Sequence, residues 1–292
     1  MYPAGEPGVS VQYITLDDGL RVRVVESGPA TDDAVLLVHG WGGSVYSFAE
    51  MIPALAAAGH RAIAMDLPGH GLSDKPVDDG RYSTEALSDC VLSVADAMGV
   101  RRFALVGHSM GASLALEIGT RLASGAANSA RRLERMVLIN PVGLGRVPLI
   151  GPAKILSPRV VDRIVPSLLT RRMISGILRL AFGTQLRPTD RDIDEYWAPT
   201  QFAEFAWACR ACVHSATWGR VAATRLRSLR LPVLVLTGGR DKFVRGAAQR
   251  AKLIPAVRVV TIHEGGHLVM QECTVKAHSA LLPFLRGERS RE

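Results

Sequence analysis

Three short segments carry, in a workable order, the residues of an acyl-transfer reaction: GHSMG at 107–111, GGRDK at 238–242 and EGGH at 264–267. They offer a serine, an acid and a histidine. A serine hydroxyl becomes a nucleophile when a neighbouring imidazole can take its proton, and a carboxylate on the other ring nitrogen fixes that imidazole's tautomer and orientation. GHSMG fits the G-x-S-x-G elbow, in which a tight strand-to-helix turn pushes the nucleophile out of the sheet. Ser109 is the candidate nucleophile.

The residues around each segment predict the elements that would position it. Phe103 to Val106 is an apolar run suited to a buried strand, and Ala112 to Ile118 (ASLALEI) is rich in helix formers. Gly107 and Gly111 lack the Cβ that would clash where such a strand and helix cross behind the nucleophile. A helix starting after Ser109 brings its positive end, so the Met110 N–H can hold a developing oxyanion. Ala34 to Val38 (AVLLV) reads as another strand, running into His39-Gly40-Trp41-Gly42-Gly43. That glycine-rich turn makes the Trp41 N–H the second oxyanion donor and its indole a candidate wall of the acyl pocket.

Pro232 to Leu236 (PVLVL) predicts a strand whose far end is the loop carrying Asp241. Catalytic groups gather at the carboxyl ends of parallel strands, which makes Asp241 the candidate acid. An Asp there also suits a turn, or a pairing with Arg240 or Lys242. Val257 to Ile262 gives the last strand, and His267 follows the Gly265-Gly266 turn. His263, at the strand end, competes with it for the role of base.

Ala62 to Met65 adds a further short strand, and Asp66-Leu67-Pro68-Gly69-His70-Gly71 follows it. With HGxxG after one strand, DxPGHG after the next, GHSxG at the elbow and the acid and histidine in late loops, the chain resembles the α/β-hydrolases that carry a helical lid. The resemblance runs from about Val11 to Leu285. It implies an α/β fold: a mostly parallel, eight-stranded sheet with helices on both faces and an inserted helical lid. It also implies Ser109, Asp241 and His267 as the triad, Trp41 and Met110 as oxyanion donors, and His263 as a partly buried polar residue. His39, His70 and His108 are read as loop braces. Relatives that open epoxides or displace halide attack with an Asp, where this chain has Ser109.

At 292 residues and 48% hydrophobic content the chain can bury a sizeable core. Residues 1–140 and 231–292 read as the α/β-hydrolase core and 141–230 as the lid, marked by Pro148, Pro152, Pro158, Pro166, Pro188 and Pro199. The lid holds 14 Lys+Arg and 6 Asp+Glu, so it carries the whole net charge of +8. Within it, Pro166 to Phe182 predicts a helix with Leu169, Met173, Ile177 and Leu180 on one face and Arg171, Arg172 and Arg179 on another. Such a face is either simply solvated, or meets an anionic membrane, or attracts anionic substrates such as acyl-CoA thioesters. Nucleic acid is not expected, because no aromatic-interleaved basic stretch accompanies the charge.

Cys209 and Cys212, with His214 nearby, lie in a breaker-free helical stretch and lack a second ligand pair, so they read as packing residues rather than a zinc site. Neither a signal peptide nor a membrane-spanning run is seen, which makes a soluble, cytoplasmic protein the expectation. The expected activity is hydrolysis of carboxylic esters of small to medium acyl chains through an acyl-enzyme on Ser109, with no metal or organic cofactor. Two alternatives stay open. One is carbon–carbon hydrolysis of ring-cleavage diketo acids with the same triad, and the other is a non-catalytic ligand-binding or accessory role on the same fold.

Overall fold

Short apolar bursts bounded by turn residues become strands in the computed structural model, which describes residues 1–125, 133–157, 169–184 and 186–288. The strands are β1 (Val9–Thr15), β2 (Arg21–Ser27), β3 (Asp33–Val38), β4 (Arg61–Met65), β5 (Arg102–His108), β6 (Leu133–Ile139), β7 (Val233–Gly238) and β8 (Val257–Ile262). They form one eight-stranded sheet in the order β1-β2-β4-β3-β5-β6-β7-β8. β1 runs antiparallel to β2 and β2 to β4, and every other pairing is parallel. In the middle, Leu36 of β3 lies between Ile63 of β4 and Leu105 of β5.

Successive side chains of a strand point to opposite faces, so an unbroken apolar strand feeds two cores at once. Leu36, Val38, Phe103, Leu105, Val233 and Val235 enter one. Val35, Leu37, Val106, Leu234 and Leu236 enter the other. Helices α2 (Thr84–Ala97) and α3 (Met110–Ala123) close the first face, and α1 (Met51–Ala57) closes the second. α3 starts directly after Ser109, two residues before the predicted Ala112.

Between β6 and β7 the strand–helix alternation stops. The described residues there form α4 (Ile150–Leu156), α5 (Arg171–Ala181), α6 (Asp190–Trp197), a 3-10 turn (Ala198–Gln201), α7 (Phe205–Ser215) and α8 (Ala223–Ser228). α5 begins where the Thr170 side chain accepts the Met173 N–H, and the first part of the helix expected over 166–182 lies outside the described residues. α6 is started by a capping box in which Thr189 and Asp192 satisfy each other's backbone N–H groups. Leu226 of α8 and the following Leu229 are fully buried, and Arg225 pairs with Glu117 of α3. α9 (Ala247–Ala251), α10 (Val269–Glu272) and α11 (Thr274–Leu285) complete the chain, α10 and α11 packing with α1 on the second face. No helix among the described residues is long and apolar enough to cross a membrane.

Candidate active site

Ser109 sits between β5 and α3 with φ of 52° and ψ of −112°. A positive φ is costly for a residue with a Cβ and persists only when its surroundings over-determine it. They do so here: the Ser109 N–H donates to Ile139 O at 2.9 Å, and its carbonyl accepts from Ala112 and Val142. A Cβ on Gly111 would stand 2.1 Å from the Val38 carbonyl oxygen, so only glycine lets α3 cross the sheet this closely. Met110 opens the helix, where a backbone N–H has no helical acceptor before it.

The three separated segments meet. His267 Nε2 lies 3.0 Å from Ser109 Oγ, and His267 Nδ1 lies 2.9 Å from Asp241 Oδ2. The other Asp241 oxygen accepts the N–H groups of Phe243 and Val244, at 2.7 and 3.1 Å. Asp241 is therefore both a turn former and the histidine's partner, whereas Arg240 reaches away to the Gly183 carbonyl. His263 is exposed at the end of edge strand β8, not partly buried as expected, and belongs to none of these contacts.

Backbone contacts fix the histidine. The His267 N–H donates to Ala181 O, at the end of α5, at 2.7 Å. The His267 carbonyl accepts from His108 Nε2 at 2.9 Å and from Asn140 Nδ2 at 2.8 Å. Asn140 also donates to Gly266 O, and its Oδ1 accepts the Gly238 N–H, so one buried amide ties the histidine loop to the strand that leads to Asp241. Glu272, buried in α10, accepts the Gly266 N–H on one oxygen and those of Gly183 and Thr184 on the other. Gly183 and Gly266 touch backbone to backbone: a Cβ on Gly266 would stand 2.3 Å from Ala181 O. Neither Asn140 nor Glu272 is evident from the sequence alone. An Asn before Pro at a strand end is the only signal for the first, and nothing local marks the second.

The turn after β3 is braced similarly. His39 Nδ1 donates to Gly40 O at 2.7 Å while Nε2 accepts the Leu67 N–H, which assigns a neutral imidazole with its proton on Nδ1. Burial holds the His39 pKa down at about 4. Burial, then the neighbouring His39, takes His70 to about 3, and burial, then His267, pushes His108 well below the usual histidine range. All three hold loop backbone, His70 by its Nδ1 donating to Pro68 O at 3.0 Å, as expected. Asp66, paired with buried Arg23, accepts the N–H groups of Val45 and Leu72 and so pins the turn after β3. A Cβ on Gly40 would stand 2.9 Å from Ser109 Cβ, which places the Trp41 peptide beside Ser109. The Trp41 indole reaches the insertion, donating to Cys209 O of α7 at 2.9 Å and meeting the Trp218 ring edge-on. Cys209 and Cys212 are free and buried, and burial raises both thiols, Cys209 to about 12. Among the described residues no group of three or more His, Cys, Asp or Glu is placed to hold a metal ion.

A strand, an elbow serine with its helix, and a histidine and acid from the last two strand ends are the arrangement that defines a class of hydrolase. The model of the alpha/beta hydrolase family matches residues 35–277, and the chain belongs to that family. It is 30% identical over 280 residues to the dihydrolipoyllysine-residue acetyltransferase component of an acetoin cleaving system from Pseudomonas putida, covering 92% of this chain and 67% of that protein. It is 27% identical to the magnesium-chelatase 30 kDa subunit of Rhodobacter capsulatus, over 90% of both chains. Among solved structures, a meta-cleavage product hydrolase from Pseudomonas fluorescens superposes with a TM-score of 0.78 at 19% identity, over 94% of this chain and 97% of that one. At that identity the likeness is one of fold.

Proposed function

We propose that this chain is a serine hydrolase that cleaves carboxylic esters of small to medium acyl chains. The observation that carries the reading is the unbroken hydrogen-bonded line from Asp241 through His267 to Ser109, with steps of 2.9 and 3.0 Å. Ser109 Oγ attacks the ester carbonyl carbon while His267 Nε2 takes its proton, and Asp241 stabilises the imidazolium that forms. The N–H groups of Trp41 and Met110 hold the oxyanion. Collapse of the tetrahedral intermediate breaks the bond to the alkoxy group, which leaves with the proton from His267. Water, deprotonated by His267, then attacks the acyl-enzyme; collapse of the second tetrahedral intermediate frees the acid, and Ser109 recovers its proton from His267. Each proton transfer is carried by side chains of this chain, so the reading calls for no metal or organic cofactor.

Residues 141–230 act in this reading as a cap between core segments 1–140 and 231–292. The support is contact: the Trp41 indole, the His267 N–H and the Glu272 carboxylate each bond to that segment. Turnover of a p-nitrophenyl ester series from acetate to palmitate, comparing wild type with Ser109→Ala, tests the assignment. A loss of several orders of magnitude in the variant is expected. Absence of turnover in the wild type would turn attention to an accessory role, a reading favoured by the Rhodobacter capsulatus relative, which is named as a subunit.

A further inference from the structure

The middle of α5 is turned outward in a way its amphipathic pattern alone does not specify. Three rows run along the helix. Ile174, Leu178 and Ala181 are 8%, 4% and 6% exposed and pack against the second core. The next row, Met173, Ile177 and Leu180, is 45%, 41% and 44% exposed, a continuous apolar stripe at i, i+4 and i+7 facing solvent. The third row holds the exposed Arg172 and Arg179, one on each side of Gly176 along the chain. Arg171 is spoken for by Asp190 and Asp194 of α6, at 2.7 and 2.6 Å. Among the described residues no carboxylate pairs with Arg172 or Arg179, and a shallow groove lined by Arg171, Arg172, Ser175, Gly176 and Arg179 runs beside the stripe.

We infer that this outward face of α5 docks on an anionic lipid bilayer. An apolar row beside a guanidinium row is what an interfacial helix presents: the aliphatic side chains enter the boundary of headgroups and acyl chains while the arginines meet lipid phosphates. The charge supports the match, since the segment 141–230 carries the whole net +8 of the chain. Area argues against a protein partner. A stable protein interface takes about 800 Å² per partner, which one row of three side chains on an 11-residue helix does not supply, whereas bilayer binding adds up from small apolar and ionic contributions. The docking helix is joined to the site, because its last carbonyl, Ala181 O, holds the His267 N–H. A bilayer on α5 therefore lies one helix away from the triad, a placement suited to acyl substrates that partition into membranes.

Co-sedimentation of the full chain with vesicles of phosphatidylcholine, alone or mixed with phosphatidylglycerol, tests the docking independently of the hydrolase reading. The expected result is binding to the mixed vesicles only, weakened by added salt. Arg172→Gln with Arg179→Gln, and separately Ile177→Ser with Leu180→Ser, should each lower the affinity by roughly tenfold or more. All four positions are exposed, so urea midpoints and turnover of soluble p-nitrophenyl esters should stay at wild-type values. Ser109→Ala should bind vesicles like the wild type even though it is inactive. No binding to the mixed vesicles, or binding that both pairs leave unchanged, would overturn the inference. So would a dimer in light scattering that the apolar pair converts to monomer, which would assign the stripe to a second copy of the chain.

Discussion

Helices α3 and α5 both contribute a terminus to the site, yet they are held by opposite means. α3 buries eleven of its 14 residues, and its Gly111 meets the backbone of β3 so closely that no other residue fits. α5 buries three of 11, and a Cβ on its Gly176 would meet nothing within 4 Å. Each meets the cluster of Ser109, His267 and Asp241 with one end: the first N–H groups of α3 lie beside Ser109, and the last carbonyl of α5 holds His267. Packing secures the first along its whole length. The second is secured along one row, Ile174, Leu178 and Ala181, and at its end on the histidine loop, which leaves the outer side of α5 free for other work.

The largest consequence expected of this contrast is acid sensitivity confined to the core. His39, His70 and His108 are buried neutral around the α3 end of the site, whereas the insertion has a single histidine, His214, bonded to Ser157. Their folded pKa values lie below the unfolded value of 6.5, with His39 at about 4 and His70 at about 3. Between those limits the unfolded chain binds more protons than the native one. The stability these groups contribute is thus complete above the unfolded value and lost as pH falls toward the folded ones. Each group sets a slope of up to about 1.4 kcal/mol per pH unit, so the three together approach about 4. Urea midpoints measured from neutral pH down to about 4.5 should fall accordingly. A slope lower by about 1.4 kcal/mol per pH unit would mean that one of these imidazoles is protonated in the native state, and a flat profile that all three are.

Glu272 is the joint between the two regimes, and its substitution sharpens the comparison. The carboxylate accepts three backbone N–H groups, from Gly266 on one side and from Gly183 and Thr184 on the other. In Glu272→Gln one of the two acceptors becomes an NH₂, which cannot accept, so either the histidine loop or the exit of α5 loses its bond. The expected cost is about 1–3 kcal/mol in urea unfolding, with a fall in kcat/KM because His267 is displaced. Loss of stability with kcat/KM intact would show that the end of α5 does not position the histidine.

This contrast also explains what the sequence disclosed. The core strands, the elbow and the loops that carry Asp241 and His267 were legible because each is local: an apolar burst, then a turn whose residue types are dictated by close approach or hydrogen bonding. His267 could be preferred to His263 only through the family pattern, and the structure shows the physical difference, one ring facing Asp241 and the other exposed. Asn140 and Glu272 stayed hidden because their partners are backbone atoms of distant loops, which carry no signature in the chain. In α5 the apolar residues occupy two adjacent rows. Helical periodicity cannot say which row turns inward, and burial of Ile174 and Leu178 rather than Met173 and Ile177 is decided by the surface they meet.

The smallest effect is the most direct probe of the free middle of α5. Gly176 lies in the interior of a helix at ordinary negative φ, with open space where a Cβ would go. Alanine there removes conformational freedom from the unfolded chain and adds no clash, so Gly176→Ala should stabilise the protein by about 0.5–1 kcal/mol in urea unfolding. Ester turnover should not change, since the terminus that holds His267 lies more than a turn away. A destabilised Gly176→Ala would show that the outer side of α5 is covered in solution. In that case the exposed apolar row, Arg172, Arg179 and the groove beside them would all have to be reassigned to whatever covers it.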